Sequence, residues 1–124
     1  TGVQSRVPIG SLGDGIWRML GLVLALVRSE DGLVFVDEID TGLHFTVMSD
    51  MWKLVARTAE RLNVQVFATT HNSDCWTSLA AIARDTVSGD SDVTIQRIER
   101  GRPQTVAFTE QEIVIAASRD IEVR

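Results

Sequence analysis

The chain has 124 residues, a formal net charge of −5, 44% apolar and 23% charged residues, and a single cysteine. This is the composition of an ordinary globular domain and excludes disorder and collagen-like repeats. It also excludes an internal disulfide framework or a paired-cysteine zinc site, and it offers no Lys/Arg surplus for non-specific phosphate binding.

Four of the nine glycines fall in the first fifteen residues, which read as irregular chain. Ile16 to Arg28 is apolar nearly all round, the pattern of a helix buried on most sides. Its longest apolar stretch, Met19 to Val27, is too short to span a bilayer and is flanked by Arg18 and Arg28. No export signal is visible, so a cytoplasmic setting is expected, with no membrane partner.

Glu30-Asp31-Gly32 is a turn, and Leu33 to Val36 is a continuous apolar run, expected as a strand covered on both faces. Thr46 to Leu62 repeats apolar residues at intervals of three and four, predicting an amphipathic helix. Val64 to Thr70 reads as a second strand. Asn72 or Ser73 can cap a helix running to about Arg84. A polar loop, Ser88 to Asp92, leads to a strand over Val93 to Glu99. Gly101 to Gln104 then turns into Thr105 to Phe108. Thr109 and Glu112 have capping-box spacing for a last helix, Glu110 to Arg119.

The expected fold class is therefore α/β, a mostly parallel sheet flanked by helices with a C-terminal β-hairpin and final helix. In such sheets ligands sit beyond the carboxyl ends of the strands. Asp37-Glu38 ends the first strand and Thr70-His71 the second, with His71 lying 33 residues after Glu38. Adjacent carboxylates at a strand end suit two tasks: one holding Mg²⁺ through its water shell, the other orienting or deprotonating an attacking water. A histidine at the next strand's tip can donate a hydrogen bond to a phosphate oxygen. Upstream, Ser11-Leu12-Gly13-Asp14-Gly15 places a serine and two glycines at a helix start, where backbone N–H groups approach an anion. Read singly, each piece has a plainer account: a solvated acidic turn, a structural histidine, a flexible glycine-rich connector.

Taken together and in this order, the pieces resemble the ABC ATPase superfamily. Ser11 to Gly15 is similar to its signature motif, and Leu33 to Glu38 to Walker B with the catalytic glutamate. Asp40-Thr41-Gly42-Leu43-His44 is similar to the D-loop, and His71 to the switch histidine. By residue types the chain looks closest to the stand-alone ATPases related to the overcoming-lysogenization-defect and SMC proteins. The resemblance covers Pro8 to about Ala83. It implies ATP and Mg²⁺ as cofactors and a second ATPase head as partner, a homodimer in the parent protein. An effector or nucleic acid would be engaged through parts outside this chain. It further implies that Asp37 assists Mg²⁺, Glu38 is the base and His71 senses the γ-phosphate. Ser11, Gly13 and Gly15 would contact nucleotide on the partner head, with Asp40 coupling the two sites. His44, just after the D-loop, is a candidate for the dimer interface.

Two departures stand out. Asp14 and Gly15 replace the family's usual Gly-Gln, and no Gly-x-x-x-x-Gly-Lys-Ser/Thr phosphate loop occurs, the one lysine being Lys53. With Thr1 as the first residue, residues 1–124 are expected to be a fragment of a longer chain, the C-terminal part of one ATPase domain without its N-terminal Walker A part, ending soon after the final helix. Hydrolysis by this piece alone is expected to be negligible. The other readings are a non-hydrolysing dimerisation module on the same scaffold, or a metal-dependent nuclease using Asp37, Glu38 and Asp40. Trp17, Trp52, Trp76 and Cys75 are expected in core packing. Arg97, Arg100 and Arg102, diluted by Glu99, read as a solvated hairpin rather than a nucleic-acid patch.

Overall fold

A computed structural model describes residues 8, 10, 13–85 and 93–119. The chain divides into two compact units, Thr1–His71 and Asn72–Arg124. The polar loop at Ser88 to Asp92 and the chain end at 120–124 lie outside the described residues.

The first unit alternates helix and strand: α1 (Asp14–Arg28), β1 (Leu33–Val36), α2 (Phe45–Arg61) and β2 (Gln65–Ala68). Helix α1 starts where Gly13 takes φ 86°, a conformation open to glycine and costly for other residues. Asp14 in its first turn and Arg28 in its last oppose the helix dipole favourably. Helix α2 turns Met48, Met51 and Val55 inward, as its apolar spacing predicts. Strands β1 and β2 pair in parallel, Leu33 opposite Gln65 through Val36 opposite Ala68, so α2 is the crossover between them. At the opposite end from the carboxylates two turns lock together. Asp31 N–H donates to Leu62 O at 3.0 Å, and the Asn63 side chain donates to Asp31 Oδ1 at 2.9 Å.

Leu26, Val34 and Val64 form the centre of this unit's core, with Val36, Ala59, Leu62 and Val66 packed around them. The expectation that β1 is covered on both faces holds for one face only. Val34 points inward, whereas Leu33, Phe35 and Phe67 are exposed on the other side, Phe35 by 74%. Phe35 and Phe67 stack on one another at 5.0 Å between ring centroids. A two-stranded sheet has helices for one face alone among the described residues, so the apolar residues of the other face shield each other. Trp17 likewise departs from a core role: it is half exposed on α1, whereas Trp52 and Trp76 are partly buried.

The second unit comprises α3 (Ser73–Asp85), an antiparallel hairpin of β3 (Ile95–Arg97) and β4 (Val106–Phe108), and α4 (Glu110–Ser118). Asn72 Oδ1 accepts from Asp74 N–H at 2.9 Å, capping α3. Helix α3 packs on α4, and Cys75, Ala80, Ile113 and Ala116 are the unit's buried apolar residues. At the start of α4 the Glu112 carboxylate accepts from both the N–H and the hydroxyl of Thr109, at 2.8 and 2.9 Å. The backbone bond, then the hydroxyl, holds the Glu112 carboxyl below its ordinary value.

Candidate active site

The carboxyl ends of β1 and β2 gather most of the residues singled out from sequence. Past Val36 the chain leaves the sheet through Asp37 and Glu38, and Glu38 takes φ 46°, in the left-handed region. A non-glycine residue holds this conformation when its surroundings over-determine it, and here each polar group of Glu38 is bonded. Its N–H donates to Thr69 Oγ1 at 2.9 Å. Its carbonyl accepts from the Arg18 guanidinium of α1 at 2.7 Å. Its carboxylate Oε2 accepts from the Thr41 hydroxyl at 3.1 Å.

Asp37 Oδ1 accepts from the Thr69 hydroxyl at 2.5 Å. Asp40 Oδ1 accepts from the Thr70 hydroxyl at 2.6 Å. The segment after β2 is thus laced to the segment after β1, and it carries His71, exposed, two residues beyond Thr69. Ile39, between the paired carboxylates and Asp40, is fully buried and anchors the loop; its N–H donates to Thr69 O at 3.0 Å.

Gly13 and Gly15 lie at the start of α1. Gly15 has a steric reason of its own. A Cβ there would stand 3.3 Å from Leu43 Cδ2 and 3.7 Å from Gly42 O, so the helix start runs close against the Asp40–His44 loop. Gly42 closes that loop with φ 76°. Ser11 lies outside the described residues. His44 has a local role at the start of α2: its Nδ1 lies 3.0 Å from the Thr46 hydroxyl, and its ring packs on Phe45. In the hairpin, Glu99 pairs with both Arg97 and Arg102.

Arg18, Thr41 and Thr69 join the site without having been singled out from sequence. Thr69 had a usable signal: extending the parallel register by one pair beyond Val36–Ala68 sets it opposite Asp37. Arg18 had none, because its reach depends on how α1 crosses the strands.

The arrangement presents two carboxylates and a histidine at the carboxyl edge of a parallel sheet, beside a glycine-bearing helix start. Residues 2–74 match the family described as "AAA domain, putative AbiEii toxin, Type IV TA system". That match spans more than half of the chain, and the chain belongs to this family of AAA domains. A protein of Helicobacter pylori (strain ATCC 700392 / 26695) named "ATP/GTP phosphatase" is 30% identical over 89 residues, covering 67% of this chain and 23% of the relative. The chain therefore spans about a quarter of the length of that curated relative. No solved structure matches. Among the described residues no helix is long and apolar enough to cross a membrane.

Proposed function

We propose that this chain is the catalytic portion of an ABC-type nucleotide-hydrolysing head, binding ATP with Mg²⁺ and working as a dimer. The observation that carries the reading is the Asp37–Glu38 pair at the sheet's carboxyl edge, with Glu38 bonded at its amide, carbonyl and carboxylate. Catalysis of phosphoryl transfer rests on positioning and charge stabilisation, and a carboxylate held this firmly suits that task. The family match and the phosphatase relative support its coarser part, nucleotide hydrolysis.

Glu38 acts as the base. As the oxygen of a water bonds to the γ-phosphorus, its proton passes to the Glu38 carboxylate. The bond from that phosphorus to the β–γ bridging oxygen breaks, and ADP leaves with the electron pair. Mg²⁺ proteins commonly supply one or two carboxylates and leave the other positions to water and phosphates. Asp37 fits that part. Among the described residues no group of three metal-type ligands occurs. When bound, Mg²⁺ neutralises charge on the phosphates. His71 hydrogen-bonds a γ-phosphate oxygen.

Ser11, Gly13 and Gly15 serve the nucleotide of the partner head. Asp40, fixed by the Thr70 hydroxyl, couples the two sites. The phosphate loop absent from these residues comes from another part of the protein, and any effector or nucleic acid is engaged there too. A cytoplasmic location accords with this role.

The test is metal removal in the intact protein. Phosphate release from ATP should require Mg²⁺, stop with EDTA and return when Mg²⁺ is restored. Cleavage of DNA with Mg²⁺ or Mn²⁺, without phosphate release, would replace this reading with that of a nuclease.

A further inference from the structure

Thr69 bonds four consecutive residues of the opposite segment. Its N–H donates to Val36 O at 2.9 Å and its carbonyl accepts from Ile39 N–H at 3.0 Å. Between these, its hydroxyl donates to Asp37 Oδ1 at 2.5 Å and accepts from Glu38 N–H at 2.9 Å. The backbone bonds continue the sheet and would survive any side chain. The two hydroxyl bonds go to the two residues read above as Mg²⁺ ligand and base.

We infer that Thr69 is a positioning residue for nucleotide hydrolysis, its hydroxyl fixing the Asp37 carboxylate and the left-handed backbone of Glu38 together. The inference rests on the proposed roles of Asp37 and Glu38. A hydroxyl donating to a carboxylate makes a charge-assisted bond that selects one orientation of the group. With Oδ1 engaged in this way, the Asp37 carboxylate would be held in one orientation for the water shell of a bound Mg²⁺. The same hydroxyl oxygen holds the amide of Glu38, whose φ of 46° is an uncommon one for a residue with a side chain. Losing that bond releases the peptide toward ordinary conformations and swings the glutamate carboxylate away from the attacking water. Valine, equal in shape, removes both bonds at once. Serine retains both.

Thr69→Val, Thr69→Ser and Glu38→Gln would be compared with wild type in the intact protein, by steady-state phosphate release across a Mg²⁺ titration. Thr69→Val should lower kcat by about 10- to 100-fold, the usual cost of losing a group that orients a metal ligand. It should also raise the Mg²⁺ concentration giving half-maximal rate, whereas Thr69→Ser should restore both toward wild type. The half-saturating concentration does not scale with the folded fraction, so it separates positioning from a general loss of structure. Wild-type kcat and Mg²⁺ dependence in Thr69→Val, beside an inactive Glu38→Gln, would overturn the positioning role and leave the reading of Glu38 intact. Undiminished turnover in Glu38→Gln would remove that reading, and the role of Thr69 with it.

Discussion

Glutamine in place of Glu38 is expected to slow phosphate release from ATP by about two to four orders of magnitude, the contribution typical of a positioned general base, with ATP still bound. The substitution is nearly isosteric. The side-chain oxygen of glutamine can accept from the Thr41 hydroxyl as Oε2 of Glu38 does. The N–H of residue 38 donates to the Thr69 hydroxyl and its carbonyl accepts from Arg18, so on its own side these bonds use backbone atoms alone. What disappears is the capacity to take a proton from water. Binding and turnover should therefore separate: equilibrium ATP affinity near wild type, single-turnover release nearly lost, and heads accumulating as ATP-bound dimers. Unchanged release would contradict the role of Glu38 as base, whereas no release from wild type or variant would favour the non-hydrolysing dimerisation module, in which these residues are scaffold only.

The largest effect on stability is expected at Ile39. This residue has no exposed surface and follows Glu38 directly. Ile39→Ala should cost about 2–5 kcal/mol, the range for emptying a buried aliphatic site, read as a lower urea midpoint of the protein. Ile39→Val should cost about 0.5–1.5 kcal/mol. The difference matters because a domain is commonly stable by only about 5–15 kcal/mol. Equal midpoints for Ile39→Ala and wild type would show that the loop after β1 is not anchored through this side chain.

The elements were legible in the sequence because their signals are local. The spacing of Met48, Met51 and Val55 specifies the inward face of α2, the apolar run Leu33 to Val36 specifies β1, and the Thr109–Glu112 spacing specifies the start of α4. The pairing of Asp37 and Glu38 with the segment before His71 followed from strand order. Tertiary geometry was not legible. The continuous apolar pattern of β1 reads as two-sided burial, yet whether Phe35 is covered depends on what lies against it, which no local pattern states. Trp17 misled for the same reason: an all-apolar helix does not say which side finds a partner. Arg18 bonds the Glu38 carbonyl from 20 residues upstream, a contact created by the packing of α1. Gly15 shows the converse, a residue read for phosphate contact that also answers to the closeness of Leu43.

The sharing of one site between two heads is tested most directly by mixing inactive variants of the intact protein. In the proposed dimer Glu38 and His71 serve the nucleotide of their own head, whereas Ser11 serves that of the partner. Glu38→Gln mixed with Ser11→Arg should recover phosphate release, because the mixed dimer contains one site with intact Glu38, His71 and Ser11. Glu38→Gln mixed with His71→Ala should recover none, since each head then spoils its own site. Recovery in neither mixture, with mixed dimers shown to form, or equal recovery in both, would contradict the shared-site account.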